Sequence, residues 1–425
     1  MTTTARPSAA PGVVSADGFP AGPVRERARL GVAAVFPDAR EYGTSLYGAP
    51  GAEAGPHPPD LLDRARIVPP VFMPDRLAAL VELGREPLYD DVRLRVPMGG
   101  FTSALPLYVS AFGSTRIASG TLGEAVARQA GRLGIPLVVG ENVAPVNGYR
   151  STAGDEVSSL LSRIHAYAEA AGEGQTGGVA VQQSTEDADA EVWNQVYSDP
   201  ACGALLDGGR LAFELKVGQG AKPGLGGMTV LGEEAADRVA DLYATDAVLS
   251  RGSVLRSSAP GTFTEEILRQ QIRQMRNNFP RARVWVKLHP GRDVDLAART
   301  AWEAGADAVT VDGAEGGTGW APTCFLSQVG LPLGECLHRI GPTPHCLLAS
   351  GRMWEGTRVL KALALGARGA GLGRAAIIAA AEDADTGLVR LVESIALELR
   401  LLLSALGRYG VESLCGEDLW ISPQA

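Results

Sequence analysis

Across residues 107–374 eight short apolar, β-rich runs recur, each closing in polar or small residues and most followed by a helical pattern. They occupy residues 107–112 (LYVSAF), 136–142 (PLVVGEN), 178–184 (GVAVQQS), 211–218 (LAFELKVG), 283–289 (RVWVKLH), 308–313 (AVTVDG), 346–351 (CLLASG) and 369–374 (GAGLGR). Near-continuous apolar runs of this length are what parallel strands covered on both faces require. The linking helices are clearest in DLAARTAWEAGA, between the fifth and sixth runs, and TRVLKALALGA, between the seventh and eighth. Both keep an apolar stripe at helical spacing. Eight β/α units predict an α/β fold of the (β/α)8 TIM-barrel type, with a doubly wound open sheet as the competing arrangement.

The flanks read differently. Residues 1–68 are rich in Ala, Pro and Gly without a sustained period, which predicts a flexible arm draped over its own domain or a neighbour. Residues 69–425 then form the barrel domain, with a short helix over 75–84, an extended lead-in to Met98 and a long amphipathic helix over 387–407. The stretch 217–265 is too long for an ordinary connection after a strand and marks a substrate loop or lid.

Composition removes several classes of function. Of 425 residues, 45% are hydrophobic and 20% charged, as in ordinary globular chains. The 39 Lys+Arg against 48 Asp+Glu leave a net charge of -9, which supplies no field to attract nucleic acid. No apolar run is long enough to span a bilayer and the first residues lack a signal-peptide core, so the expectation is a cytoplasmic protein with no membrane partner. The five cysteines lie far apart, which predicts packing residues rather than a disulfide framework or a metal site.

In a parallel barrel the carboxyl ends of the strands converge on one face, and chemistry is expected there. The run ends supply Ser110, Glu141, Gln182, Gln183, Lys216, Lys287, Asp312 and Ser350. Strand ends are also polar simply because they reach solvent. The lysines inside FELKV and VWVKL are different, because a buried ammonium needs an anion or dense hydrogen bonding to offset its desolvation. Glycine-rich turns follow the last strands: DGAEGGTG, SGR and GLGR. Backbone N–H groups in such turns, beside a helix N-terminus, bind phosphate. This places a phosphate at Gly317, Gly351 and Gly373, with Arg352 and Arg374 as added charge or as solvated loop residues. A phosphate grip beside a strand lysine describes a flavin site, since the N1–C2=O edge of a reduced flavin is anionic and Lys287 would face it.

These segments match a known pattern. The stretches ELKVGQGAKPGLGG (214–227), VTVDGAEGGTGWAP (309–322), LLASGR (347–352) and KALALGARGAGLGRAA (361–376) closely resemble the FMN-binding synthase domain of the glutamate synthase large subunit. GQGAKPG is the most specific element, and the likeness runs from about Pro69 to about Trp420. The resemblance implies an FMN barrel that reduces an imine made from an oxo acid and ammonia. It implies that Ser110 and the Phe112–Gly113 turn lie near the flavin and that Gln182, Lys216 and Lys287 face it; with the strand ends and glycine turns, the expected cofactor contacts are Ser110, Ala111, Phe112, Gln182, Lys216, Lys287, Asp312, Gly313, Gly316, Gly317, Thr318, Ser350, Gly351, Arg352, Gly373 and Arg374. It also implies that Lys222 faces the substrate carboxylate; with Glu141 from the strand-end ring, the catalytic candidates are Lys287, Lys216, Lys222 and Glu141.

Departures from the family bear on the substrate. A polar residue expected after the GG of the KPGxGG run is here Met228, an arginine has no counterpart near Leu242 and Tyr243, and TGEGG is replaced by VGENV. No N-terminal cysteine nucleophile is present for glutaminase chemistry. The expectation is an FMN-dependent oxidoreductase acting on a C=N or C–N bond of a small carboxylate-bearing metabolite in a dedicated biosynthetic route, not plain glutamate synthesis from 2-oxoglutarate. Electrons would reach the flavin directly from substrate, from a nicotinamide or from a soluble carrier, with the direction of reaction left open, and a homo-oligomer is expected. Competing readings are an FMN-dependent isomerase like the type 2 isopentenyl diphosphate isomerase and a flavin-free barrel scaffold or binding protein. The α-hydroxy-acid oxidases lack support because their histidine-glycine-x-arginine run is missing. His289 reads as a proton donor or a solvated turn residue, and Trp320 as a flavin-pocket wall or a core aromatic.

Where the family carries three cluster-binding cysteines after the eighth strand, residues 375–387 read AAIIAAAEDADTG. The purified protein should therefore contain no iron–sulfur cluster. Stoichiometric iron with acid-labile sulfide in an anaerobic preparation would contradict this.

Overall fold

The computed structural model describes residues 37–48, 60–113, 120–150, 158–172, 174–183, 188, 191–218, 220, 222, 225, 228–233, 237, 244–247, 252–257, 261–318 and 320–421. All eight expected runs contain a strand, and the strands close into a parallel barrel in chain order: β1 (Leu107–Phe112), β2 (Leu137–Val139), β3 (Val179–Gln183), β4 (Leu211–Lys216), β5 (Arg283–Leu288), β6 (Ala308–Asp312), β7 (Leu347–Ser350) and β8 (Gly369–Leu372). The open-sheet alternative is thereby excluded. Helix α1 (Pro74–Leu83) precedes the barrel. The barrel helices are α2 (Leu122–Leu133), α3 (Leu160–Ala171), α4 (Val192–Ser198), α5 (Glu265–Asn278), α6 (Val294–Glu303), α7 (Leu333–Ile340), α8 (Gly356–Ala364) and α9 (Arg374–Glu382), and the C-terminal helix is α10 (Gly387–Ala405). Among the described residues no helix is long and apolar enough to cross a membrane.

The period of two along each strand sorts side chains between two cores. On β4, Leu211 and Phe213 are buried in the outer core that the helices cover, with Leu215 packed against it, whereas Ala212 joins the barrel interior. The interior is graded from end to end. At the amino ends of the strands, a hairpin of Val96–Met98 and Phe101–Ser103 inserts Met98 and Phe101 among Tyr108, Val138, Ala180, Ala212, Trp285, Ala308 and Leu348. Trp285 Nε1 donates to the Gly99 carbonyl at 2.8 Å. Gly99 has φ +57 and an added Cβ would lie 2.5 Å from the indole, so this hairpin turn admits only glycine. With one end plugged by apolar side chains, the polar inward residues gather at the other.

Several boundaries differ from the sequence expectation. β2 ends at Val139, so Glu141 stands in the following loop, and Asn142 is left-handed at φ 65. β8 ends at Leu372, and Arg374 opens α9 rather than closing a strand. The region expected as one loop, 217–265, contains a three-stranded antiparallel sheet of Met228–Gly232, Ala244–Asp246 and Ser253–Ser257, with the last in the middle. Its strands are too short and too widely separated to stand out as periodic runs.

The described parts of the stretch read as an arm are packed on the barrel. Tyr47–Gly48 pairs antiparallel with Gly317–Thr318, and Arg66–Ile67 with Leu419–Trp420. Leu62 is fully buried, and its carbonyl accepts from Lys361 Nζ at 2.8 Å. Arg358 on α8, itself 2% exposed, pairs with Asp60 at 2.9 Å, with Asp63 at 2.8 Å and with Glu315 of the turn after β6. Ala, Pro and Gly around these acids hide the ion pairs from a compositional reading.

Arg358→Met should lower unfolding free energy by about 3–5 kcal/mol, because Asp60 and Glu315 would stay buried without their cation. Urea unfolding measures it, and a loss under about 1 kcal/mol would show that the acids are satisfied elsewhere.

Candidate active site at the carboxyl end of the barrel

The polar ends of the strands surround a cavity of about 400 Å³, within the range of small-molecule and cofactor sites. Parallel register decides which side chains become neighbours. Lys287 on β5 lies beside Lys216 on β4 and Thr310 on β6, Gln182 on β3 beside Glu214 on β4, and Asp312 on β6 beside Ser350 on β7. The floor is accordingly cross-linked. Lys287 Nζ lies 3.1 Å from an Asp312 carboxylate oxygen, and both side chains are buried. Asp312 also accepts from Ser350 Oγ and, at 3.2 Å, from the Gly220 amide. Ser110 Oγ on β1 donates to Ser350 Oγ at 3.2 Å. On the other side, Glu214 accepts from Gln182 Nε2 at 2.6 Å and Thr310 Oγ1 at 3.1 Å.

Burial opposes the Lys287 charge, but Asp312 and Glu214 outweigh it and hold its pKa up. Burial raises the Glu214 carboxyl, against the pull of Lys287. Burial alone would also raise Glu141, yet the Lys216 ammonium in contact with it holds it down as a carboxylate. Lys222 is in another situation. It is 6% exposed, and its Nζ lies 3.5 Å from the Trp320 carbonyl with no carboxylate in ion-pair range among the described residues. Burial and the like charge of Lys216 lower its pKa to about 8, with Glu141 acting in the opposite sense.

At the opposite pole Gly317, Gly351 and Gly373 all line the cavity, together with Arg352 and Arg374. Gly373 is the N-cap of α9, and a Cβ there would meet nothing within 4 Å, so the helix N-terminus opens to the cavity. Gly351 has φ +147, and Arg352 is left-handed at φ 55. Arg374 donates to the Glu315 carbonyl, and Arg352 pairs with Asp63 at 3.3 Å. Both arginines are thus held by protein groups beside the glycine turns.

Most residues singled out from the sequence line this cavity: Ser110, Ala111, Phe112, Glu141, Gln182, Lys222, Lys287, Asp312, Gly316, Gly317, Thr318, Ser350, Gly351, Arg352, Gly373 and Arg374. Two stand behind the wall. Lys216 reaches Glu141 instead, and Gly313 is a structural turn whose amide donates to the Ser350 carbonyl at 2.9 Å. His289 is also absent from the lining; it packs on Gly218, where a Cβ would lie 2.6 Å from the imidazole. Trp320, 1% exposed, is a wall residue. None of the cysteines lines the cavity. Gln219, Ala221, Pro223 and Gly224 of the GQGAKPG run, together with Leu242 and Tyr243, lie outside the described residues.

Sequence reasoning missed other members. Glu214 was available to it, since Ala212, Glu214 and Lys216 share the inward face of one strand. Arg163 on α3 supports the site from behind: it is 1% exposed, donates to the Phe112 and Gly113 carbonyls at 3.5 Å, and its guanidinium sits 5.4 Å over the Phe112 ring. Tyr42, Leu46, Met353, Trp354, Ile377 and Ile378 also line the cavity, and no strand-end rule points to them. Among the described residues no group of three His, Cys, Asp or Glu side chains is arranged to hold a metal ion.

With this geometry in place, comparison identifies the barrel's relatives. The family model described as a conserved region in glutamate synthase matches residues 204–382, which contain β4 to β8 and the glycine turns. Over these residues the chain is similar to glutamate synthase. A glutamate synthase large subunit-like protein of Rhizobium meliloti (strain 1021) is 35% identical over 184 residues, 40% of each chain. An archaeal-type glutamate synthase [NADPH] of Dehalococcoides mccartyi is 30% identical over 254 residues, 50% of each chain. The chain thus spans half or less of the length of these curated relatives. Among solved structures, a soluble mutant of the (S)-mandelate dehydrogenase of Pseudomonas putida superposes with TM-score 0.56 at 18% identity, covering 94% of this chain and 99% of that one. A mandelate oxidase mutant carrying a monooxide FMN adduct gives 0.52 at 19% identity, covering 86% and 90%. These two share the barrel fold with this chain.

The depressed pKa of Lys222 has a measurable sign. Its amine should be protonated below about 8 and neutral above, whereas ordinary lysines titrate near 10.4. Reductive 13C-methylation followed by NMR should show one lysine resonance titrating near 8 that disappears in Lys222→Arg. Titration of every resonance above 10 would refute the assignment.

Proposed function

We propose that this chain is an FMN-dependent oxidoreductase acting on a C=N or C–N bond of a small, carboxylate-bearing metabolite in a dedicated biosynthetic route. One observation carries the reading: a single cavity joins a glycine-and-arginine cradle at one pole to a buried lysine in its floor and a second lysine at the other pole. The glutamate synthase relatives support the C–N chemistry, and the mandelate oxidase neighbour carries FMN in a barrel of this kind.

The residues present fit FMN. Open space at Gly373, the α9 N-terminus behind it and two arginines provide for a phosphate dianion. Ser110, Ala111 and Phe112, together with Gln182 and Lys287, provide for a flat ring system with polar edges. When bound, FMN would supply hydride transfer between its N5 and the substrate carbon.

The chain's own contribution is binding and orientation. Arg352 and Arg374 would hold the phosphate, each kept in position by an existing protein contact. Lys287 presents an ammonium fixed by Asp312, so its position is set before any ligand arrives. Lys222 offers its charge to the substrate carboxylate. Glu141, kept ionised by Lys216, stands on the wall as the group to take up or return a proton at the substrate nitrogen.

The purified chain, reconstituted if necessary, should be yellow and release stoichiometric FMN on acid treatment. A protein that remains colourless with excess FMN would overturn the reading. Lys287→Met should weaken FMN binding by about tenfold or slow flavin reduction, because the electron-rich N1–C2=O edge would lose its cation and the charge that develops there on reduction would be unpaired. Since Asp312 would also lose its partner, the double variant Lys287→Met/Asp312→Asn separates a folding defect from a cofactor effect. Unchanged FMN affinity and unchanged flavin reduction in both variants would remove Lys287 from the site.

A further inference from the structure

The apolar wall of the cavity comes largely from outside the strand ends. Residues 37–48 run as a strap across the mouth, anchored where Tyr47 pairs with Thr318 and Gly48 with Gly317. The pairing fixes the strap to the same turn that contributes Gly316, Gly317 and Thr318 to the lining. Two of its side chains, Tyr42 and Leu46, face the cavity. Tyr42 belongs to a cluster built on buried Leu255 and Trp320, against which Met228 and Val230 also pack. Strap and antiparallel sheet thus form one continuous apolar surface around Trp320.

Lys222 sits at the foot of that surface, with its Nζ 3.5 Å from the Trp320 carbonyl. Charge on the lining is otherwise matched near this pole: Lys287 by Asp312, and Glu141 by Lys216. Among the described residues this leaves one lysine for one carboxylate. A second carboxylate on the ligand would find no cation opposite it among the described residues of this wall and would lie against Leu46 and Met228, where desolvation disfavours it.

We infer that the strap of residues 37–48 is a specificity element, and that it selects a monocarboxylate with an aliphatic or aromatic body over a dicarboxylate. The ligand's carboxylate meets Lys222, its body lies along Tyr42, Leu46, Met228 and Trp320, and its reactive carbon faces the floor. This inference rests on the proposed function for the identity of the reaction, but the binding preference belongs to the apolar wall itself.

The test is isothermal titration calorimetry of the FMN-loaded protein with pyruvate, 4-methyl-2-oxopentanoate, phenylpyruvate and 2-oxoglutarate. One of the two long monocarboxylates should bind about tenfold or more tighter than 2-oxoglutarate, as burial of a side chain of that size predicts. Tyr42→Ala and, independently, Leu46→Ala should each weaken that ligand by about tenfold while leaving pyruvate, too short to reach the wall, unchanged. Lys222→Gln should weaken all the monocarboxylates together. If 2-oxoglutarate binds as tightly as the long monocarboxylates, if none of the acids binds, or if both strap variants leave the ranking unchanged, the inference fails. Protein that takes up no FMN yet keeps the ranking would defeat the proposed function and leave the strap's role standing. Yellow protein without the ranking would do the reverse.

Discussion

A lysine on the inward face of a barrel strand has no water to turn to, and the carboxyl end of this barrel is arranged around that fact. Lys287 is paired with Asp312 on the next strand, and the second Asp312 oxygen passes the constraint on through Ser350 to Ser110. That chain of contacts runs from β5 through β6 and β7 to β1 and must pass over β8. It can do so because β8 has Gly371 at the crossing, where an added Cβ would lie 2.6 Å from Tyr108 and 2.9 Å from Ser350. The glycine is therefore part of the polar floor, although it contributes no polar atom.

The same logic operates on the other half of the ring. Glu214 reaches Gln182 on one side and, across β5, Thr310 on the other. A carboxylate buried with its hydrogen bonds made is held in one place, and each bond removes a rotamer that the floor would otherwise sample. Lys287 lies between the two networks, drawn by both acids. Rigid placement of a cation before a ligand binds is what electrostatic preorganisation means in structural terms.

How much of this was legible follows from where each residue sits. Strands of a parallel barrel announce themselves as separate apolar runs, so the eight runs and their order were readable, and with them the residues at their carboxyl ends. The glycine turns were readable for the same reason, because they follow directly on strands. Glu214 was hidden inside FELKV, where the apolar neighbours drew attention and the inward period of two was applied to the lysine alone. Asp60 and Arg358 are 298 positions apart, and no local pattern links them. Tyr42 and Leu46 reach the cavity only because a two-residue strand pairs across the chain with the turn after β6. Long-range pairing of so short a segment leaves no periodic signature.

The two poles of the cavity treat charge in opposite ways, and that difference gives the site its direction. At the glycine pole, Arg352 and Arg374 already have protein partners and the backbone supplies further N–H groups, so a phosphate adds to an arrangement that is complete without it. At the other pole Lys222 is buried with a carbonyl as its nearest described partner, and the strain of that position appears as a pKa lowered to about 8. A carboxylate placed beside it restores the ammonium's ordinary preference for charge, so part of the binding free energy is the relief of a penalty built into the unliganded protein. A ligand with its anion elsewhere gains no such relief, and one with a second anion against Leu46 and Met228 offsets the relief with the desolvation of that second charge. On the proposed function, the fold would fix one ligand by its phosphate and orient the other by its carboxylate, with the reacting atoms between them over Lys287.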